Sequence, residues 1–299
     1  MFKNANIYTL SSLPAITSEI LQEKAFEPCG KMDTCRAGFF IPNELDQLAT
    51  EIDRFVVFCV ATEEKILPPS VIRQYVAEKV EDIRTQENRP VGRKERENIK
   101  DEITFSLLPQ AFTKRRLSMA VLDKTKHLLI VDESSAARSE EVCSLLRDAL
   151  GSLKAVPVST QMPFSSSATQ WLKDGLPTSF ELGNYCKLQS PKTDATHTCR
   201  NDDDLAEQVS THIDNGLLVT ALRLKHDALT FTVNESLAIK SLRFDDEKIN
   251  EVADQVEDNL KALMLGNIVL SANQVESALE ALCRGLGGAV NQELFEPAA

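Results

Sequence analysis

Apolar residues recur at helical spacing over two consecutive segments in the first half of the chain. From Val71 to Gln86 they fall three or four residues apart, which predicts an amphipathic helix that Ser70 is placed to cap. The following turn, 88–92, contains Pro and Gly, which both stop a helix. A second helix is predicted from Arg93 to about Leu107. We therefore expect a projecting helical hairpin.

Shorter runs of β-branched and aromatic residues predict strands. Arg54 to Ala61 is rich in Val and Phe, which indicates a strand buried on both faces. Apolar residues alternate from Leu117 to Val121, 123–126 forms a turn, and His127 to Val131 returns as the second strand of a β-hairpin. Further strands are predicted at 7–10, 180–188, 195–200, 217–224, 229–233 and 238–244, and further helices at 14–22, 134–150, around Trp171, 202–215, 247–265 and 272–286.

The order of these elements indicates the fold class and the domain organisation. Strands and helices occur in clusters with several hairpins, which favours an α+β fold with antiparallel or mixed sheets and packed helices. The chain of 299 residues is longer than one minimal core requires. We divide it into a central α/β body (1–68, 113–165 and 235–299), a helical-hairpin tip subdomain (69–112) and a small α+β base subdomain (166–234).

Composition places the chain among ordinary globular proteins. Hydrophobic residues make up 42% and charged residues 26%, values that exclude a wholly disordered chain. No apolar run approaches the roughly 20 residues of a membrane-spanning helix. The N-terminus has no apolar segment of the kind that signal peptides contain. A cytoplasmic location is the expectation.

The charge is unevenly distributed along the chain. The net charge of −12 by itself argues against nucleic-acid binding. Between Arg84 and His127, however, eleven Lys and Arg stand against six Asp and Glu, whereas from Phe244 onward eleven acidic residues stand against three basic ones. An acidic chain with one basic zone indicates a focused anion site.

Two basic clusters within this zone are the candidate anion ligands. They are Arg93, Lys94, Arg96 and Lys100 on the second predicted helix, and Lys114, Arg115 and Arg116 at the start of a strand. Arg and Lys suit phosphate, because Arg presents a planar fork and Lys a flexible point charge. The alternative is a solvated helix face with ordinary pairs such as Arg93 and Glu97. Phe112 lies between the clusters, and we interpret it as a core residue in preference to a stacking or interface aromatic.

The sequence contains no recognisable catalytic or metal-binding signature. Phosphate-binding loops, dinucleotide fingerprints and nucleophile elbows are absent. The seven cysteines form no Cys-x-x-Cys pair, so reduced thiols are expected, and Cys186, His197 and Cys199 lack a fourth metal ligand. Asp202-Asp203-Asp204 is interpreted as the acidic start of a helix. We therefore expect no cofactor, no metal and no enzymatic activity.

A series of short motifs, in order over about 240 residues, resembles the bacterial RdgC family of recombination-associated proteins. The motifs are Phe2-Lys3-Asn4 with Tyr8, Phe26-x-Pro28-Cys29-Gly30, Gly38-Phe39, Leu67-Pro68, Gly92-Arg93-Lys94, Leu107-Leu108-Pro109-x-Ala111-Phe112, Thr169-x-Trp171-Leu172, Leu188-x-Ser190-Pro191, His212-Ile213-x-x-Gly216 and Ile239-Lys240-x-Leu242-x-Phe244.

The resemblance implies a ring-shaped homodimer that encircles double-stranded DNA without sequence preference and negatively regulates RecA-promoted strand exchange. It implies no catalytic activity and a nucleoid-associated location. It further implies that Arg93, Lys94 and Lys100 contact DNA and that Phe112 lies at the interface or gate of the ring. One departure is Leu217, where the family pattern suggests a basic residue.

Two alternatives remain open from the residues. The chain could bind the recombinase directly, with the basic zone as a surface for an acidic partner. A nuclease or other DNA enzyme would need metal ligands, for which the sequence gives no signal. Salt response separates the first alternative from DNA binding, because phosphate binding weakens steeply as counterions are released.

Overall fold

The structure, a computed structural model, describes residues 1–201, 204–254 and 259–290. The chain divides into two compact units. Unit 1 comprises Met1–Glu23, Ile41–Cys59 and Met119–Ala299, and unit 2 comprises Lys24–Phe40 and Val60–Ser118. The three-part division expected from the sequence stays a prediction.

The described residues contain strands and helices in mixed order. The strands are β1 (Asn4–Leu10), β2 (Cys35–Phe39), β3 (Ala49–Ile52), β4 (Phe55–Ile66), β5 (Phe112–Asp123), β6 (Leu128–Val131), β7 (Ala155–Pro157), β8 (Glu181–Gln189), β9 (Thr196–Arg200), β10 (Leu218–His226), β11 (Leu229–Asn234) and β12 (Ile239–Phe244). The helices are α1 (Ser18–Gln22), α2 (Pro69–Glu87), α3 (Arg93–Leu107), α4 (Ala136–Leu150), α5 (Phe164–Asp174), α6 (Leu205–Asp214), α7 (Asp246–Asp254) and α8 (Leu260–Gly285), with a 3₁₀ turn at Leu108–Gln110.

Unit 1 contains a large antiparallel sheet with helices packed on one face. Its strands pair in the order β6, β1, β12, β11, β10, β8, β9. Along β10, Leu222, Leu224 and His226 are buried, whereas the residues between them are half-buried. The buried face joins a core to which α5, α6 and α8 contribute Trp171, Val209 and other residues. The α+β class is therefore confirmed, and one face of β8–β12 remains free of this core.

Unit 2 contains α2 and α3, which contact one another, and β2 paired with the second part of β4. Gly38 on β2 lies so close to the preceding loop that a Cβ there would stand 2.4 Å from Cα of Phe26. No side chain fits at that distance, which explains the glycine in the Gly38-Phe39 motif. Both helices predicted in this part of the sequence are confirmed.

Several local predictions differ from the structure. Ser70 lies inside α2, which begins at Pro69 without a side-chain cap, since the fixed backbone angle of proline suits the first helical turn. The segment 165–167, for which the sequence left a loop or a helix cap open, lies inside α5. Strands β2, β3 and β7 were not predicted, because each has five residues or fewer and carries little alternation.

The C-terminal helices begin and end elsewhere than predicted. A break was expected between Leu265 and Ala272, but α8 continues through both. Gly266 does not end a helix: its missing side chain lets α7 approach, and a Cβ there would lie 2.8 Å from Cγ1 of Val252. Residues 255–258 lie outside the described residues, as does the tail from residue 291 onward.

An ionic network ties three parts of unit 1 together. Arg54, in the turn between β3 and β4, bonds through Nε to Oδ2 of Asp123 at 2.5 Å and through Nη2 to Oε2 of Glu276 on α8 at 2.7 Å. Lys126 reaches the same Glu276 oxygen at 3.1 Å. Burial, with Asp123 nearby, raises the pKa of Glu276 to about 7. The negative charges of the buried Asp123 and Glu276 are thus compensated by Arg54 and Lys126.

None of the described helices is both long and apolar enough to cross a membrane.

Candidate nucleic-acid interface

The α2–α3 surface of unit 2 brings three of the predicted cations together. Arg93, Arg96 and Lys100 lie three and four residues apart on α3, so they share one helix face. All three line a groove of about 830 Å³ between α2 and α3, to which α2 adds Arg73 and Arg84. The helical period therefore positions these side chains. Lys94 is exposed but does not line the groove.

The groove is positive at its rim and apolar at its floor. Ile72, Val76 and Val80 form the floor, and its acidic residues are Glu81 and Glu97. The side chain of Arg93 is 95% exposed, and Nε stands 3.6 Å from Glu97, too far for a strong pair. Five cations against two carboxylates leave an excess of positive charge that can attract phosphate.

In the second predicted cluster, at the start of β5, carboxylates already lie near two of the three cations. Arg115 bonds through Nη2 to Oε2 of the buried Glu63 at 2.9 Å, and its guanidinium lies 4.6 Å from the ring centre of Phe26. A hydrogen bond from the backbone N–H of Cys29, together with Arg115, holds the pKa of Glu63 below its usual value. Arg116 stands 3.5 Å from Glu64. Arg115 thus holds the loop that contains Phe26 and Cys29. Phosphate contact by Lys114, Arg115 and Arg116 stays a prediction.

A third group of cations, which the sequence reasoning missed, lies on the open face of the unit 1 sheet. We call it the sheet-face cluster; its members are Lys187 on β8, Arg200 on β9, Arg223 on β10, and Lys240 and Arg243 on β12. Within the described part of the chain, none of the five forms an ion pair. Four of them line an open depression of about 820 Å³, together with a single acidic residue, Glu235.

Arg223 is a half-buried member of the sheet-face cluster. Burial and the nearby Arg243 both lower the pKa of its guanidinium. Its side chain crosses β8 at Gly183, where a Cβ would stand only 2.8 Å from Cγ of Arg223. Arg223 and Arg243 line one recess whose described lining includes the carboxylate of Glu181, so two guanidinium groups outnumber one carboxylate and a bound anion relieves their repulsion.

The sheet-face cluster left a weak signal in the sequence. Its members are single cations spread over 57 positions, so no local charge run marks them. They occupy half-buried or exposed positions of strands that were predicted, such as Arg223 between the buried Leu222 and Leu224. Alternation could have assigned each to the solvent face, but only the strand order brings them together.

The structure also places the remaining candidate residues. Phe112 is 84% exposed at the start of β5, so the interpretation as a core residue is wrong. Trp171 is a core residue and stacks on Phe180 with a centroid distance of 6.2 Å. Leu217 packs against the core of unit 1. Of the acidic triplet, only Asp204 is described, and it occupies the N-cap position of α6.

No group of three or more His, Cys, Asp or Glu side chains that could hold a metal ion occurs among residues 1–201, 204–254 and 259–290. The fold and the two exposed cationic surfaces define an α+β protein with an acidic overall charge and localised anion-binding potential.

Residues 1–289 match the model of a family described as "Putative exonuclease, RdgC". The chain belongs to the RdgC family, and the resemblance seen in its motifs is confirmed. The recombination-associated protein RdgC of Aeromonas hydrophila is 32% identical over 96% of this chain and 98% of its own length. The proteins of the same name from Shewanella halifaxensis and Yersinia enterocolitica are 33% and 29% identical, each over 96% of this chain and 98% of their own length. The family thus links the chain to DNA recombination.

Proposed function

We propose that this protein binds double-stranded DNA without sequence preference, as a ring-shaped homodimer, and thereby limits the access of the RecA recombinase to duplex DNA. The observation that carries the proposal is the presence of two cationic surfaces with few carboxylates in a chain of net charge −12. Contacts to phosphate carry no sequence information, and Arg and Lys side chains supply them. A protein that binds DNA in this way is located in the nucleoid.

The α2–α3 surface and the sheet-face cluster both take part in this proposal. On each, the charged groups reach solvent from regular elements, so the side chains are positioned by a rigid backbone. The lining of the sheet-face depression combines four Lys and Arg with amides and hydroxyls such as Asn234 and Thr220, whereas the described lining of the α2–α3 groove holds five Lys and Arg and no amide or hydroxyl side chain for base edges. This composition supports backbone binding.

A titration at two salt concentrations tests the proposal. Unrelated duplexes of equal length are expected to bind within a few-fold of one another, and the affinity is expected to fall steeply as salt rises. Light scattering without DNA is expected to show a dimer at micromolar concentration. A strong preference for one sequence would contradict the mode of binding, and a strict monomer would contradict the ring.

Reversal of three sheet-face cations should reduce DNA affinity. We expect Lys187→Glu, Lys240→Glu and Arg243→Glu together to lower affinity for every duplex alike and to reduce the slope of log affinity against log salt by about 0.9 for each lost contact. Fluorescence anisotropy with a labelled duplex measures both. Arg223→Glu is avoided because that residue is partly enclosed. An unchanged salt slope in the folded variant would remove the sheet face from the binding surface.

Phe112 is proposed to lie at the contact between subunits. Its ring is 84% exposed, and the nearby chain also exposes Phe105 and Leu117. Burying a Phe side chain contributes about 2 kcal/mol, so Phe112→Asp should weaken a dimer by at least about thirtyfold. Sedimentation velocity over a dilution series measures the change. Leu260→Ser, which alters an exposed apolar residue on α8 of unit 1, is the comparison, and an unaffected dimer in Phe112→Asp would contradict the role.

The family description also names exonuclease activity, and we propose that this chain is not an enzyme. Hydrolysis of DNA by a metal-dependent nuclease requires a cluster of ligands, and none occurs in the described ranges. Incubation of end-labelled duplex with the protein and Mg²⁺ is expected to leave the DNA intact. Progressive shortening of the labelled strand, by an activity that copurifies with the protein and with its Arg93→Glu variant, would overturn this proposal.

A second candidate function is direct binding of an acidic protein partner, such as the recombinase. The apolar floor of the α2–α3 groove, formed by Ile72, Val76 and Val80, favours it, because DNA phosphates do not use such a surface. Binding that persists after nuclease treatment and at high salt would support this candidate. Binding that requires DNA and is lost at high salt supports the first.

A further inference from the structure

Two cysteines face each other across neighbouring strands of unit 1. Cys186 on β8 is the register partner of Cys199 on β9. The hydrogen bonds from Asn201 N to Asn184 O at 2.8 Å and from Ser190 N to Ala195 O at 2.9 Å mark the flanking hydrogen-bonded pairs of this ladder. Since such pairs alternate along an antiparallel ladder, Cys186 and Cys199 form one as well.

The Cα spacing of this pair lies within the range of a disulfide. Opposed residues in a hydrogen-bonded antiparallel pair have Cα atoms about 5.5 Å apart and side chains on the same face. Disulfides bridge Cα atoms about 4.4–6.8 Å apart, most often near 5.5–6 Å. The Cβ atoms of opposed residues lie about 4.5–5.5 Å apart and those of a disulfide about 3.5–4.5 Å, so β9 must move toward β8 by about 1 Å for the bond to form. Cys35 on β2, by contrast, faces Glu64.

The two thiols differ in their exposure. Cys186 is fully buried in the core of unit 1, whereas Cys199 is half-buried on β9, the last strand in the pairing order of the sheet. Burial raises the pKa of Cys186 to about 12, and Cys199 adds to this increase, which shows that the two groups are near each other. An oxidant from solvent therefore meets Cys199 first.

We propose that Cys186 and Cys199 form a modification site at which a peroxide oxidant produces a cross-strand disulfide. The thiolate of Cys199 attacks one oxygen of hydrogen peroxide, so an S–O bond forms, the O–O bond breaks, and hydroxide leaves and is protonated to water. The sulfur of Cys186 then attacks the sulfenic acid and gives up its proton. An S–S bond forms, the S–O bond breaks, and a second water leaves. Two thiols are oxidised and one peroxide is reduced.

The disulfide joins the outer strand β9 to β8 by a covalent link. On the opposite face of the same strands, the neighbouring residues Lys187 and Arg200 belong to the sheet-face cluster. Oxidation thus reduces the freedom of β9 to separate from the sheet. The disulfide follows from the strand register and does not depend on whether the sheet face binds DNA.

Peptide mapping tests the site directly. Trypsin cleaves after Lys187, Lys192 and Arg200, so the two cysteines fall in separate peptides, 174–187 and 193–200. The full-length protein is treated with hydrogen peroxide, remaining thiols are alkylated, and the digest is analysed by mass spectrometry. We expect a linked pair of these peptides that separates after reduction. The exposed Cys35 shows in the same digest that the oxidant has acted.

Cys199→Ser is the matched variant, because its side chain is half-buried and the substitution leaves the core thiol in place. It should yield no linked peptides, with an unchanged circular dichroism spectrum. In the wild-type protein, amide hydrogen exchange along β9 should slow at least severalfold after oxidation. Oxidation of Cys35 without linked peptides, or conversion of Cys199 to sulfinic acid with Cys186 still alkylatable after unfolding, would overturn the proposal.

Discussion

The triple variant Arg93→Glu, Arg96→Glu, Lys100→Glu is expected to bind duplex DNA about a hundredfold or more less tightly than the wild-type protein near 0.1 M salt. The three cations share one face of α3 and line one groove, so a duplex that meets one of them meets all three. Each lost phosphate contact should reduce the slope of log affinity against log salt by about 0.9, hence by about 2.7 for the set. The loss should be equal for unrelated sequences. Anisotropy titrations at several salt concentrations measure both quantities.

The control must separate local contact from overall charge. Lys24→Glu, Lys31→Glu and Lys154→Glu together make the same change in net charge at exposed lysines that line neither surface. This variant should retain most of the affinity and the full salt slope. Circular dichroism checks the fold, since a disrupted α3 would mimic lost binding. If a folded α3 variant binds with unchanged affinity and slope, the α2–α3 surface does not contact DNA, and Lys114 and the sheet-face cluster become the candidates.

The α2–α3 surface was accessible to sequence reasoning because its information is local. A helix repeats every 3.6 residues, so the apolar spacing predicts both the helix and the face that Arg93, Arg96 and Lys100 share. The same reasoning could not show which cations are already held by carboxylates. Arg115 looks equivalent to Lys114 in the sequence, yet its bond to Glu63 joins positions 52 residues apart.

The sheet-face cluster could not be predicted from local sequence patterns. Alternation assigns each cation to a face of its own strand, but the cluster depends on the order in which β8, β9, β10 and β12 associate. That order follows from packing over the whole core of unit 1. The exposure of Phe112 has a similar origin: an aromatic residue beside a strand resembles a core residue until the neighbouring elements are known.

Removal of the Arg54 side chain is expected to be the most destabilising change at the ionic network. Arg54→Ala leaves Asp123 fully buried and Glu276 1% exposed, with Lys126 as the remaining cation near Glu276. Breaking a buried pair by removing one partner costs about 3–5 kcal/mol, because the other charge loses its compensation. Urea denaturation at neutral pH measures the free energy of unfolding. Lys124→Ala, which breaks the more exposed pair with Glu51, is the control and should cost less than about 1 kcal/mol.

The pH dependence of stability is expected to reflect Glu276, the carboxyl group of this network whose pKa is raised by burial. Its pKa in the folded state is about 7, above the ordinary value of 4.5, so the folded protein holds a proton that the unfolded chain has lost between these two pH values. The free energy of unfolding must therefore fall as pH rises from about 4.5 to 7 and level off above it. Asp123 acts in the opposite direction and in another window, since its pKa is lowered and its contribution is lost only as pH falls below about 4. Glu276→Gln removes the titrating group but keeps a polar side chain of the same shape, so its stability should change less than that of the wild-type protein between pH 5 and pH 8. A wild-type protein whose stability changes over that interval no more than that of Glu276→Gln would show that Arg54 and Lys126 keep Glu276 ionised throughout.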